Sequence, residues 1–342
     1  MKLLGIETSC DETAAAIVED GRHALSNVVA SQIDIHKAYG GVVPEVAARS
    51  HIEVMLPVVH QALDTAGVTW NDIDGIAVTA GPGLLGSLLI GTLTARTLAV
   101  THKKPLYAVN HVVAHTFANF LIEPQPQFPM LSLSVSGKHS DILLFKSPLE
   151  YELLGQTRDD AGGEALDKVA KMMGLPYPGG ISLSKAAVHG EERAYRLPQA
   201  QLGDSYDFSF SGLKTAVLRT LQTEIGGDFR TPSTHLPAKL NQAQINNMSA
   251  SFARTLYETL VGKLHRAYDE YQPKTVVIAG GVAANTRFRE EVTCQIPLEM
   301  HYAPIPFCTD NAAMIGAMGY WLAQAGRTVD PLTLAADPSL AV

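Results

Sequence analysis

One theme occurs twice in this chain. An apolar run at residues 3–6 enters the polar turn Glu7-Thr8-Ser9-Cys10-Asp11-Glu12-Thr13 and returns as the apolar run 14–18. Far downstream, residues 130–135 read as a strand, Ser136-Gly137-Lys138-His139-Ser140-Asp141 as a polar turn, and residues 142–145 as the returning strand. Apolar runs bounded by Ser/Gly/Asp clusters are strand–turn–strand signals. A duplicated unit in 342 residues, a length large for a single core, predicts two related lobes facing one another.

Helical patterns fill the space between these strands. Residues 44–66 carry Val46, Ala47, Met55, Val58, Val59, Ala62 and Leu63 at helical spacing, with Pro44 suited to a first turn and Gly67 to a stop. Residues 74–79 read as a buried strand entering Gly81-Pro82-Gly83, followed by a helix from Leu84 and a strand at 106–109. Helices are predicted at 182–189, 212–223 and 242–271. A strand at 275–279 ends in Gly280-Gly281 and opens a helix at 283–294, and a last helix covers 311–324. Strands alternating with helices make an α/β protein. The division expected is a first lobe at 1–126, a second at 127–310, and a C-terminal helix and tail, 311–342, packing back on the first lobe.

Composition excludes several classes. With 46% hydrophobic and 18% charged residues the chain is neither disordered nor low-complexity. The net charge of −8 excludes a bulk polycation, so any nucleic acid must be met by a local basic patch or a partner; His102-Lys103-Lys104 and Arg287-Phe288-Arg289 are the compact candidates. Three cysteines, none in a CxxC, form no disulfide framework and point to a cytoplasmic home. The longest apolar stretch, 84–100, is interrupted by Gly86, Ser87, Thr92, Thr94 and Arg96, and Glu7 comes too early for a signal peptide, so no membrane association is expected.

His111 and His115 stand four apart at the start of a predicted helix, which places both imidazoles on one face, one turn apart, as a metal pair requires. The same spacing occurs in histidines that bind nothing, and the HExxH pattern is absent, with Val112, Val113 and Ala114 between them. Asp310, before the last helix, is the best third ligand; its plain alternative is an N-cap. The turns Gly5-Ile6-Glu7-Thr8-Ser9 and Ser136-Gly137-Lys138-His139 offer backbone N–H groups and hydroxyls to a phosphate without a Walker lysine, or are ordinary hairpin turns. With Gly280-Gly281 and Asn285 they outline a nucleotide cleft. Asp159-Asp160, Glu164 and Asp167 begin a helix, where acids also complement the helix dipole; Asp167 lies far enough inside to meet a ribose. Asp11 and Glu12 are candidate general bases, or a solvated hairpin tip.

The motifs Gly5-Ile6-Glu7-Thr8-Ser9-Cys10-Asp11-Glu12-Thr13, Tyr39-Gly40-Gly41-Val42-Val43-Pro44-Glu45, Thr79-Ala80-Gly81-Pro82-Gly83-Leu84, Asp207-Phe208-Ser209-Phe210-Ser211-Gly212-Leu213-Lys214 and Phe307-Cys308-Thr309-Asp310-Asn311 closely resemble the TsaD (bacterial Gcp) family, whose archaeal and eukaryotic counterparts belong to the KEOPS complex. The resemblance covers nearly the whole chain. It implies a two-lobed actin-like, Hsp70-like ATPase (ASKHA) fold with a nucleotide cleft between the lobes. It also implies metal-assisted acyl transfer: a threonylcarbamoyl group moves from threonylcarbamoyl-AMP to N6 of the adenosine at position 37, beside the anticodon, in tRNAs reading ANN codons, forming t6A.

By the same resemblance, His111, His115 and Asp310 match ligands of one Fe2+ or Zn2+. Ser134, Val135, Ser136, Gly137 and Lys138 match the substrate loop, Asp167, Gly180 and Asn285 other adenylate contacts, and Ser184 a position usually acidic. ATP or ADP is a possible further ligand of such a fold. The partners implied are tRNA, a TsaB-like paralogue, a TsaE-like ATPase and a TsaC-like synthase that supplies the adenylate. Two motifs depart from the family pattern. Val113 and Ala114 stand where HxEGH has Glu and Gly, and Lys138 and Ser140 stand where SGGHT has Gly and Thr. A scaffold paralogue with an impaired site is therefore the alternative. A metalloprotease is disfavoured by the missing HExxH.

Overall fold

The computed structural model describes residues 1–298 and 300–342. It contains two five-stranded sheets of matching topology. The first is built from β1 (Lys2–Glu7), β2 (Glu12–Glu19), β3 (His23–Ser31), β4 (Gly75–Gly81) and β5 (Leu106–Asn110), in the order β3-β2-β1-β4-β5. The second uses β6 (Met130–Val135), β7 (Ser140–Ser147), β8 (Glu150–Gln156), β9 (Thr275–Ala279) and β10 (His301–Tyr302), in the order β8-β7-β6-β9-β10. In each sheet the first three strands form an antiparallel meander and the later two join in parallel. The repeat seen in sequence is thus a repeat of whole sheets.

Alternation of side chains explains how the first sheet is covered. Leu4, Ile6, Ala15, Ile17, Ile76 and Val78 share a core with Met55, Val59, Ala62 and Ala95 of the helices Pro44–Ala66 and Leu85–His102. Their neighbours Ala14, Ala16 and Val18 point the other way and meet the helix Ala312–Gln324. That C-terminal helix therefore packs on the first sheet. Every residue of β4, β6 and β9 is buried, as strands covered on both faces must be.

Between the sheets sits the short helix His111–Phe117, all seven residues of which are buried. It contacts β6, β9 and the helix Ala312–Gln324. Thr116 Oγ1 lies 2.8 Å from Ser132 Oγ on β6, and Asn119 Nδ2 donates to the Ile278 carbonyl on β9. The two histidines thus ride on the element that joins the lobes.

Several boundaries differ from the periodicity. The helix expected at 283–294 is instead a single tight turn, Gly281–Ala284, and then a helix Thr286–Gln295, because Asn285 Oδ1 accepts from Phe288 N (3.0 Å) and nucleates the helix there. The helix expected from 182 begins at Gly179, directly after Pro178, with Gly180 N donating to Asp167 Oδ1 (3.2 Å). The strand Glu150–Gln156 and the short helix Ile33–Lys37 have no counterpart in the sequence reading.

Among the described residues, no helix is long and apolar enough to cross a membrane. Cys10, Cys294 and Cys308 are all unpaired.

Candidate active site between the lobes

A cleft of about 1240 Å³ opens where the two sheets face each other. Its first-lobe wall comes from the turn after β1, with Ser9, Cys10, Asp11 and Glu12, and from Pro82, Gly83 and His111. The second lobe contributes the turn after β6, with Ser136, Gly137, Lys138 and His139, together with Asp167, Gly180, Ser184 and Asn285. The paired turns recognised in sequence therefore face each other across one space. Ser134 and Val135 do not line it: both are fully buried within β6.

At the cleft's edge three side chains from distant stretches converge. One ligand atom from each of His111, His115 and Asp310 lies within 4.8 Å of the others. Asp310 Oδ1 is 3.6 Å from His111 Nε2 and 3.2 Å from His115 Nε2. The alternative role for Asp310 falls to its neighbour. Asn311 caps the helix Ala312–Gln324, accepting from Met314 N (3.1 Å), which leaves the Asp310 carboxylate to face the imidazoles.

Sequence reasoning gave Glu7 no role of its own, yet it anchors this group. Fully buried at the end of β1, it accepts from Ser9 N and Thr79 Oγ1, and its Oε2 lies 3.1 Å from His111 Nδ1. Its signal in the sequence was a lone acid closing an apolar strand. With Nδ1–H directed at Glu7, His111 turns its Nε2 toward Asp310's side of the cleft, where this nitrogen offers a lone pair once its proton is displaced.

Charge follows from that arrangement. Burial pulls the His111 imidazole down, but the Glu7 and Asp310 carboxylates outweigh it and lift it to about 9. Burial likewise opposes ionisation of Glu7 and Asp310, yet His111 holds both below their ordinary values. Burial, then the charges of His111 and His115, drive His139 down to about 3, so it faces the group neutral. Farther along the first-lobe wall, burial and the adjacent Asp11 raise Glu12 well above the carboxylate range.

The donor set fits a divalent cation. His115 is 1% exposed and neither of its ring nitrogens has a hydrogen-bond partner among the described residues. Its Nε2 is near Asp310 but not aligned for a hydrogen bond. Two imidazoles and a carboxylate suit zinc or iron, and an ion would satisfy the orphaned nitrogen.

The second-lobe floor is already organised by hydrogen bonds. Asn285 Nδ2 donates to Ser184 Oγ (2.7 Å), which donates to the Gly180 carbonyl (2.7 Å). Gly180 N returns to Asp167 Oδ1, whose carboxyl is raised chiefly by burial. Across the cleft, Lys171 Nζ donates to the Gly40 carbonyl at 3.4 Å, linking the lobes. The basic stretch Arg287-Phe288-Arg289 is no open patch. Arg287 pairs with Glu192 and Glu291, Arg289 donates to the Ala283 carbonyl, and Phe288 is fully buried.

Comparison with known proteins agrees with this layout. The TsaD family, described as tRNA N6-adenosine threonylcarbamoyltransferase, matches residues 23–317. A protein of that name from Symbiobacterium thermophilum is 49% identical over 341 residues, covering 99% of this chain and 96% of the relative. One from Listeria monocytogenes is 46% identical over 323 residues, covering 93% and 90%. Among solved structures, HypF from T. kodakarensis superposes with a TM-score of 0.60 at 14% identity, covering 94% of this chain and 48% of that one. The (R)-2-hydroxyglutaryl-CoA dehydratase component A of Acidaminococcus fermentans gives 0.55 at 15%, covering 95% and 99%. At such identities the likeness is one of fold: the two-lobed actin-like, Hsp70-like ATPase architecture.

Proposed function

Because the chain belongs to the TsaD family of tRNA N6-adenosine threonylcarbamoyltransferases, we propose that its interlobe cleft holds threonylcarbamoyl-AMP while His111, His115 and Asp310 hold a divalent cation, Fe2+ or Zn2+, at the cleft's edge. The reaction is formation of t6A at position 37 of tRNAs reading ANN codons. Convergence of two buried imidazoles and a carboxylate beside a nucleotide-sized space is the observation that carries the assignment.

The adenosine N6 attacks the carbamoyl carbon, the bond from that carbon to the phosphate oxygen breaks, and AMP departs with the electron pair. N6 gives up one proton as the new C–N bond forms. An aromatic amine is a poor nucleophile, so orientation of the two reactants and stabilisation of developing charge do most of the work. A bound divalent ion supplies Lewis acidity toward an oxygen of the donor.

The protein's own groups divide the remaining tasks. The Ser136-Gly137-Lys138-His139 turn and the Asp167–Gly180–Ser184–Asn285 chain hold the adenylate. Val135 and Ser134 support that turn from within β6. Glu12, with Asp11 beside it, faces the cleft and accepts the N6 proton. Glu7 fixes the ring of His111.

A TsaB-like paralogue, a TsaE-like ATPase and a TsaC-like synthase complete the pathway in this reading, which places the chain in the cytoplasm. An apolar face is available for the paralogue. Ile52 and Leu56 on the helix Pro44–Ala66, and Leu85, Leu89 and Leu93 on its neighbour Leu85–His102, are 40–63% exposed at i, i+4 spacing.

Reconstitution with tRNA, threonylcarbamoyl-AMP, metal and the partners, read by mass spectrometry of the modified adenosine, tests the reading. Modification by the parent chain and its loss in His115→Ala are expected. A His115→Ala variant with full activity sinks the metal assignment; a parent chain that binds its partners but never modifies tRNA favours a scaffold.

A further inference from the structure

The C-terminal tail returns to the cleft. Val329 bridges to Leu106, and Arg96 grips the tail's root through three carbonyls: Nε donates to Pro331 (2.6 Å), Nη2 to Leu332 (2.7 Å) and Nη1 to Leu334 (3.1 Å). Beyond that anchor the tail bonds to the backbone and the cap that carry the site. Asp337 N donates to the Ala80 carbonyl (2.8 Å), Gly83 N donates to the Pro338 carbonyl (3.3 Å), and Asn110 Nδ2 donates to the Ala341 carbonyl (3.0 Å). The approach at Gly81 is so close that a Cβ there would run into the Asp337 carbonyl oxygen. Ser339 closes a turn on Asp337 Oδ1, and Pro338 lines the cleft.

Asn110 is the joint between tail and site. Its Oδ1 caps the histidine helix, accepting from Val112 N (3.0 Å) and Val113 N (3.3 Å). A flipped amide would set its NH2 against those two donors, and the Ala341 carbonyl, taking Nδ2, holds the productive orientation. The second point of support is the turn after β4. Leu84 N donates to the Ser9 carbonyl (2.7 Å), so a tail bonded to Ala80 and Gly83 also braces the turn bearing Cys10 and Asp11.

We infer that residues 337–341, which reach the cleft at Pro338, position His111, acting through Asn110 and the Gly81-Pro82-Gly83 turn. The inference rests on the reading of the cleft as the catalytic site, but the geometry of the tail stands apart from the reaction.

Two variants test it: Asn110→Ser in the full chain, which keeps a good N-cap and loses the bond to the tail, and a chain ending at residue 336. Three quantities are measured for each: hydrogen exchange over residues 110–117, Zn2+ affinity by chelator competition, and kcat and tRNA KM in the reconstituted reaction. Exchange over 110–117 rises in both. Zn2+ affinity and kcat fall by about tenfold or more, while tRNA KM stays within about twofold and the melting temperature holds to within a few degrees. Unchanged exchange in both variants overturns the inference, and so does a loss of kcat that merely follows a collapsed melting temperature. Raised exchange in the variants, with no transfer by the parent chain, would instead remove the functional reading and leave the tail's role in place.

Discussion

Glu7 Oε2 lies 3.1 Å from His111 Nδ1, at the end of a strand where Glu7 is fully buried and His111 reaches the cleft with only 6% of its side chain exposed. The pair sets the imidazole's ring plane before any ion arrives, and its tautomer once the Nε2 proton leaves. Glu7→Gln retains the size of the side chain and removes the charge. Metal affinity should fall by about 10–100-fold, the usual cost of losing the partner that orients a histidine ligand. Chelator competition checks this, and a Glu7→Gln variant that binds metal as tightly as the parent chain would refute it.

As the proposed base, Glu12 should give the reaction an acid limb. Burial and the neighbouring Asp11 raise its carboxyl well above the ordinary range, so it becomes the ionised, proton-accepting form only as pH rises through that elevated value. The rate of the parent chain should therefore climb with pH over that interval. Glu12→Gln removes the limb and lowers kcat by about 10²–10⁴-fold. Asp11→Asn removes a charge that raises Glu12, so it should shift the limb to lower pH. A limb that survives in Glu12→Gln assigns the base elsewhere.

Much of this site was legible in sequence because its cues are local. A repeated strand–turn–strand announces two sheets, and histidines at i, i+4 share a helical face wherever the helix lies. The tail's contacts with Ala80, Gly83 and Asn110 span more than two hundred residues and involve backbone atoms, which leave no trace in side-chain pattern. Glu7 was hidden differently. It stands in a recognised motif, but only the packing of β1 against β4 and the histidine helix brings Thr79 and His111 together at its Oε2. At Asn285 the signal was present and misread, since a cap-forming residue after Gly280-Gly281 marks the helix start three residues later than the apolar pattern does.

Lys138 stands where the related motif has glycine, and it lines the cleft rather than folding away. Its charge reaches the site, opposing protonation of both His111 and His139. In the proposed complex the donor's phosphate would give that cation an anionic partner. Lys138→Gln should raise the KM for threonylcarbamoyl-AMP by about tenfold, in line with the loss of one charge-assisted hydrogen bond, with adenosine binding unaffected. Calorimetric titration with AMP and with adenosine separates the two; equal weakening of both would mean that the side chain shapes the pocket rather than binds phosphate.

Asp141 is a cost the fold carries. It sits opposite Ser134 in the β6–β7 ladder, 4% exposed, with no hydrogen-bond partner for its Oδ2 among the described residues, and burial alone raises its carboxyl from 3.8 to about 7. An acid whose folded value is raised is neutral in both states below pH 4 and imposes no penalty there. Between pH 4 and 7 the unfolded chain ionises while the folded one resists, so stability falls as pH rises. Above 7 the penalty is complete, on the order of 4 kcal/mol. Asp141→Asn keeps the shape and cannot ionise. Its melting temperature should exceed that of the parent by several degrees at pH 8 and match it at pH 4. Equal melting temperatures at pH 8 would mean that Asp141 already finds a partner, such as a buried water, for its charge.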